Sequence, residues 1–112
     1  MTVEPASDGT LAAGAIDPTE LLEYQPDAIV SRTIVARDET TVTLFAVAEG
    51  QSISEHSAPH LAMIYLLEGR AAITIDGEET TVSAGEMLML PPDVPHALVA
   101  PEPFKMFLTM AR

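Results

Sequence analysis

The chain of 112 residues has no cysteine, a single lysine and no long hydrophobic segment. The lack of cysteine excludes disulfides, thiolate metal sites and thiol nucleophiles. No apolar run approaches the ~20 residues that a membrane-spanning helix needs, and residues 1–10 carry neither the basic nor the apolar segment of a secretory signal. We therefore expect a cytoplasmic protein that has no membrane partner.

Basic residues are scarce as well, with 5 against 17 acidic residues and a formal net charge of -12. A nucleic-acid partner is not expected, because no basic patch is available to displace counterions from phosphates. Repulsion among like charges opposes folding in dilute buffer but is screened by concentrated salt. The composition therefore fits a halophile host, with an ordinary acidic protein as the alternative.

The first part of the chain predicts an arm and a short helix. Residues 1–16 are small and polar and are interrupted by proline and glycine, so we expect a flexible N-terminal arm followed by one domain at 17–112. Asp17 is a suitable helix cap and Pro18 suits the first helical position. The predicted helix covers 18–24 and is stopped by Pro26.

The remainder predicts an all-β fold. Some eight short apolar or β-branched runs are separated by turn residues at spacings near ten residues, which is typical of a sandwich or barrel. They are 28–37, 40–48, 61–68, 70–76, 78–82, 86–90, 96–100 and 104–110. In the last run Phe104, Met106 and Leu108 share one face, and Lys105 lies on the other. The run 86–90 is apolar on both faces, which predicts a strand covered on two sides.

All three histidines fall in two stretches of similar design. Each stretch begins at a glycine, crosses an apolar run and places histidine close to proline. The first contains His56 and His60, and the second ends at Pro95-His96. A fold that joins the two stretches would gather the imidazoles at one point, and neutral imidazole is the commonest protein ligand for metals.

The two stretches resemble the two motifs of the cupin family. The first motif is Gly, five residues, His-x-His, three or four residues, Glu, six residues, Gly, and the second is Gly, five residues, Pro-x-Gly, two residues, His, three residues, Asn. The matching residues in chain order are Gly50, His56, Gly69, Gly85, Pro91 and His96. The resemblance covers roughly 28–110 and is closest to small single-domain RmlC-like cupins of type 2.

The resemblance implies a double-stranded β-helix, or jelly-roll barrel, that forms a homodimer. It also implies a divalent transition metal (Fe, Mn, Ni, Cu or Zn) bound by three histidines and a carboxylate. Two of these ligands are missing here, since Ala58 and Ala62 stand where the family has its second histidine and its glutamate. The motif-two glycine and asparagine are replaced by Asp93 and Ala100.

We expect a reduced metal site formed by His56, His60 and His96. Pro59 predicts a bulge that turns His60 either inward or to solvent, and both outcomes remain open. The residues expected to line the pocket are Ala58, Ala62, Tyr65, Met87, Met89, Leu98 and Met106. For the methionines the alternative to an adaptable pocket lining is core filling, and for Tyr65 it is packing.

Three functions are compatible with these residues. The first is a metal-dependent enzyme, dioxygenase-like or isomerase-like, that acts on a small molecule; no catalytic residue other than the ligands is indicated. The second is a metal-free module that binds or senses a small molecule through its histidines. The third is a structural dimer whose site is vestigial.

Overall fold

The computed structural model describes residue 11 and residues 13–112, so the predicted flexible arm at 1–16 falls mostly outside the described residues. A four-residue 3₁₀ helix, Pro18–Leu21, precedes nine strands. The strands are β1 (Ile29–Ala36), β2 (Thr40–Val47), β3 (Ser52–His56), β4 (Leu61–Glu68), β5 (Arg70–Ile75), β6 (Glu78–Ser83), β7 (Met87–Leu90), β8 (His96–Val99) and β9 (Phe104–Ala111).

The strands form two antiparallel sheets that face each other. One sheet has the order β1-β2-β9-β4-β7 and the other the order β3-β8-β5-β6. The predicted all-β jelly-roll fold is confirmed. One strand was missed, because the polar run of β3 lacks the β-branched pattern of its neighbours. In the part of the chain that the structure describes, no helix is long and apolar enough to cross a membrane.

The core lies between the two sheets. The five-stranded sheet contributes Ile64, Leu66 and Phe104, and the other sheet contributes Ile73 and Leu98, all of them buried. Each alternates along its strand with residues that face away from the core, as the period of a strand requires. Three of these residues, Ile64, Ile73 and Leu98, also line the site described below.

The predicted helix at 18–24 is wrong in length, since the 3₁₀ helix ends at Leu21 and Leu22 is extended. Asp17 does cap it, accepting hydrogen bonds from the backbone nitrogen and the hydroxyl of Thr19 at 3.0 and 2.7 Å. These bonds, foremost the one from the hydroxyl, lower the pKa of Asp17. The extended chain after Leu21 carries Tyr24 towards the five-stranded sheet.

Tyr24 and the 3₁₀ helix cover the only lysine. Lys105 was predicted on the face of β9 opposite to the core, and it is nevertheless 6% exposed. Its Nζ atom donates to the Thr19 carbonyl at 2.6 Å and lies 4.9 Å from the centre of the Tyr24 ring. The Tyr24 hydroxyl donates to Glu68 Oε2 at 2.7 Å. The buried ammonium is thus compensated by a carbonyl and an aromatic face.

Gly69 joins β4 to β5 in a conformation that requires glycine. Its φ angle is +78°, and a Cβ atom there would collide with the carbonyl oxygen of Pro103 and lie 2.9 Å from the Cα atom of Phe104. Gly77 also has a positive φ, +84°, but a Cβ atom there would meet open space. A comparison of Gly69 with Gly77 therefore separates the effect of backbone conformation from the effect of crowding.

We predict that Gly69→Ala lowers the free energy of unfolding by more than about 3 kcal/mol, because positive φ and a backbone clash add together. Gly77→Ala is the matched control and should lower it by about 1 kcal/mol. Urea titrations of the two variants measure the difference. Equal losses would show that the approach of Pro103 to Gly69 does not matter.

A second prediction concerns Tyr24. Burial, followed by the bond to Glu68, raises the pKa of the Tyr24 hydroxyl. The folded protein therefore holds this proton more tightly than the unfolded chain, which releases it near pH 10. The contribution of the Tyr24 hydroxyl to the free energy of unfolding is therefore fully present below pH 10 and is lost as the pH rises further.

Tyr24→Phe should reduce the free energy of unfolding at pH 7 by about 1 to 2 kcal/mol, since a hydrogen bond to a carboxylate is lost. The gap in the free energy of unfolding between the variant and the wild type should narrow above pH 10, because only the wild type has this proton to lose. Urea titrations from neutral to alkaline pH measure the gap. A gap that stays constant over this range contradicts the assigned bond.

Candidate functional site

A β-bulge brings His56 to face His96. Strands β3 and β8 are antiparallel neighbours, with Ile53 opposite Leu98 and His56 opposite His96, and the register shifts between the two pairs. In a regular strand Glu55 rather than His56 would share the face of Ile53. The extra residue of the bulge reverses that parity, so Ile53 and His56 both line the interior.

The two imidazoles are in direct contact. Their Nε2 atoms are 3.1 Å apart, and their ring centres are separated by 4.3 Å in an edge-to-face arrangement with an interplanar angle of 68°. His56 is exposed and His96 is half-buried. The structure thus brings together two of the three predicted ligands, from positions that are 40 residues apart in the sequence.

Main-chain carbonyls fix the tautomer of each ring. Nδ1 of His56 lies 2.9 Å from the Ser54 carbonyl oxygen, and Nδ1 of His96 lies 3.2 Å from that of Val94. A carbonyl can only accept, so each Nδ1 must carry the proton. In a neutral imidazole the other nitrogen is then an acceptor. Two acceptor nitrogens therefore face each other, an arrangement that calls for a shared proton, a donor or a metal ion between them.

The loop before β8 holds His96 in place. Asp93 has a φ angle of +63°, and its nitrogen donates to the Ala58 carbonyl at 2.8 Å, which ties this loop to the segment after β3. The Asp76 nitrogen donates to the Pro95 carbonyl at 2.9 Å. The histidine pair is consequently anchored on both sides by the backbone rather than by flexible side chains, as a site of defined geometry requires.

A cavity of about 140 Å³ extends from the histidine pair into the core. Both sheets contribute to its wall, and apart from the two histidines the lining residues are apolar. They are Phe45, Ile53, Ile64, Ile73, Leu90, Ala97, Leu98, Met106 and Leu108. We call this space the apolar cavity. Because His56 is exposed, the histidine pair marks its open end.

Of the predicted pocket residues, Leu98 and Met106 line the apolar cavity. Ala62 belongs to the buried core instead, and Ala58 lies in the loop that binds Asp93. Tyr65, Met87 and Met89 do not line it: they are 39%, 56% and 43% exposed, on the outer face of the five-stranded sheet. The two-sided apolar pattern of β7 indicated burial of both faces, and in this chain the outer one is exposed.

Sequence reasoning also missed several lining residues. Leu108 shares a strand face with Met106, so parity alone would have found it. Ile53 lies in the unrecognised strand β3, and no pattern marks it. Ile64 and Ile73 lie in recognised strands, but which of their faces encloses a cavity depends on how the sheets pair.

His60 is not part of the pair. It is half-buried in the bend before β4 and does not line the apolar cavity. Among the residues that the structure describes, no group of three or more His, Cys, Asp or Glu side chains is arranged to hold a metal ion. The described residues therefore offer two converging candidate ligands rather than a complete set.

Those two ligands suit adjacent positions of one transition metal ion. For metal–nitrogen bonds of about 2.1 Å, adjacent ligands are about 3.0 Å apart in an octahedron and about 3.4 Å apart in a tetrahedron. The observed 3.1 Å lies between these values. Proton donation from Nδ1 to a backbone carbonyl is also the usual support of a metal-binding histidine.

Comparison with protein families gives a match to the model described as "Cupin domain" over residues 43–110. The chain belongs to the cupin family. The match includes both histidines of the pair and most strands of the two sheets. Comparison with curated proteins gives no match.

Solved structures agree with this assignment. This cupin is 39% identical to a conserved protein of unknown function from Streptococcus pyogenes, with a TM-score of 0.86 and coverage of 90% of this chain and 89% of that one. It is 35% identical to a cupin 2 conserved barrel domain protein from Leptotrichia buccalis, with a TM-score of 0.81. That match covers 84% of this chain but 46% of the Leptotrichia protein. A cupin superfamily protein from Desulfitobacterium hafniense shares the fold at 24% identity, with a TM-score of 0.86 and coverage of 91% and 94%.

Proposed function

We propose that this cupin binds a small molecule in the apolar cavity and holds a divalent transition metal at its open end through His56 and His96. One observation carries the proposal: two imidazoles with protonated Nδ1 atoms bring their acceptor Nε2 atoms to within 3.1 Å of each other. A cation between the two nitrogens removes the repulsion of their lone pairs and uses both as ligands.

The remaining coordination positions would be left to water or to the bound molecule. When bound, such an ion polarises a coordinated oxygen, which is the chemistry of metal-assisted isomerases and oxygenases. The chain itself contributes an apolar enclosure that excludes water from the rest of the ligand. Any protein group that moves a proton there would be one of the two histidines, because the other lining residues are apolar.

Metal-free binding is the second candidate, and the same pair supports it. One proton shared between the two Nε2 atoms, or a hydrogen bond donated by the ligand, also satisfies facing acceptors. The pair then serves as the polar end of a ligand site rather than as a catalytic centre. The two candidates differ in whether a metal ion binds with a stoichiometry of one.

We predict that tag-free protein binds one Zn²⁺, Ni²⁺ or Co²⁺ ion per chain in isothermal titration calorimetry. His56→Ala and His96→Ala should each weaken binding by at least about tenfold, because a single imidazole remains. His60→Ala is the matched control and should leave the affinity unchanged. A wild type that takes up no stoichiometric ion contradicts the metal site and leaves metal-free binding. A His60→Ala variant that loses as much affinity as the other two contradicts the restriction of the site to His56 and His96.

We further propose that two copies pair through the outer face of the five-stranded sheet. In register across β4 and β7, Tyr65 lies opposite Met87 and Met63 opposite Met89, so these side chains share one face. Together with the exposed Leu61 they form an outer apolar patch, which ends at the edge strand β7. A second copy suits this patch because a chain with a charge of -12 meets its own kind with least repulsion where charges are absent.

Met87→Glu should convert a dimer to a monomer, since it places two charges in the paired surface. Val99→Glu is the control, because Val99 is comparably exposed, at 48% against 56% for Met87, but lies on the other sheet. Sedimentation velocity at low and at molar salt measures both variants, and salt should favour the wild-type dimer by screening its charge. A monomeric wild type under both conditions, or equal effects of the two substitutions, would overturn this interface.

A further inference from the structure

The walls of the apolar cavity restrict what can occupy it. Nine of its eleven lining residues are apolar, and the other two are the histidines of the pair. Among the described residues, no carboxylate, amide, hydroxyl, ammonium or guanidinium group of a side chain contributes to this lining. The ligand therefore meets one polar point and otherwise hydrocarbon.

From this distribution we infer that the ligand class is a neutral monocyclic phenol, or a cyclic alcohol of the same size. Its ring lies in the apolar cavity and its hydroxyl lies at the histidine pair. The inference rests on the proposed function in one respect, namely that the pair is the polar centre of a ligand site. It adds the size, charge and polarity of the ligand.

Size follows from the volume. The cavity measures about 140 Å³, and an apolar protein cavity of about 150 Å³ accepts benzene. A single six-membered ring therefore fills the space, whereas a fused bicyclic ring does not fit without displacing core residues. Core residues such as Ile64 and Ile73, 2% and 1% exposed, are packed too tightly to move freely.

Polarity follows from the lining. A sugar or a phosphorylated compound would bury several hydroxyl or phosphate oxygens against Phe45, Ile73 and Leu108, where they find no partner. Each unpaired buried polar group weakens binding by roughly five- to a hundredfold. One hydroxyl avoids this loss, because an Nε2 atom of the pair accepts its proton. If a metal ion occupied both Nε2 atoms instead, the hydroxyl oxygen would coordinate that ion.

Charge follows from the composition of the chain. A carboxylate would enter a protein of net charge -12 whose described lining contains no lysine or arginine to compensate it. The field of the protein disfavours such an anion, and so does the low polarity of the cavity. A hydroxyl is neutral, so it enters the cavity without this electrostatic cost.

The test measures Kd by isothermal titration calorimetry on protein dialysed against a chelator, with phenol, toluene, benzoate, glucose and 1-naphthol as ligands. We expect phenol and toluene to bind and the other three to bind at least about tenfold more weakly. His96→Leu should reduce the ratio of phenol affinity to toluene affinity by about tenfold, since only phenol uses the pair. An unchanged ratio, or glucose or benzoate binding as tightly as phenol, overturns the inference.

Cavity-filling variants locate the ring. Leu108→Phe adds volume to the wall of the apolar cavity and should abolish binding of both phenol and toluene, with Ile53→Phe as a second variant in case the first does not fold. Leu61→Phe makes the same change on the outer apolar patch and should bind like the wild type. Phenol binding that survives both cavity-filling substitutions in folded protein contradicts the location.

Metal titration of the same variants separates this inference from the metal site. Leu108→Phe leaves both histidines in place and should bind Zn²⁺ like the wild type while it rejects phenol. Zn²⁺ binding without any phenol binding to the wild type refutes the ligand class and leaves the metal proposal intact. Phenol binding that depends on His96, in a protein that binds no Zn²⁺, refutes the metal proposal and supports the ligand class.

Discussion

The bulge in β3 between Ile53 and His56 is the constraint on which the site depends. Without the inserted residue, Glu55 would point towards the core and His56 away from it. The bulge instead places His56 opposite His96, at Cα positions that are paired across two neighbouring strands. Cross-strand neighbours on one face have Cβ atoms about 5 Å apart, and from that separation two imidazoles reach contact without any change of backbone.

Backbone carbonyls then decide what the pair can do. The carbonyl two residues before each histidine accepts from its Nδ1 atom, Ser54 for His56 and Val94 for His96. Local hydrogen bonds of this kind hold both rings in the same tautomer, so their acceptor nitrogens converge. Because the carbonyls belong to the strand and to the loop anchored by Asp93, the orientation of the rings is part of the fold.

The sequence was sufficient for the fold and for the meeting of His56 and His96, because strand periodicity and the two glycine-to-histidine stretches are local patterns. It was not sufficient for side chains whose environment is set by distant elements. Strand periodicity places Lys105 on the face of β9 away from the core. It does not reveal that the 3₁₀ helix covers Lys105. Met87 and Met89 alternate with inward residues, yet which face of β7 is outermost depends on which side of its sheet packs against the second sheet.

Ala58 and Ala62, which replace the second histidine and the glutamate of the family motif, are consistent with the apolar character of the cavity. Ala62 is 7% exposed within the core cluster, where an acidic side chain would have to be compensated by a cation or by hydrogen bonds. With a methyl group there, the interior needs no such compensation, and the histidine pair becomes its only polar feature among the described lining residues. If this cavity binds a ligand as we propose, it would select by ring size and by one donor, because an apolar wall discriminates weakly between groups of equal shape. Facing acceptors that remain unpaired are unfavourable, so the strongest selection falls on the single group that reaches the pair.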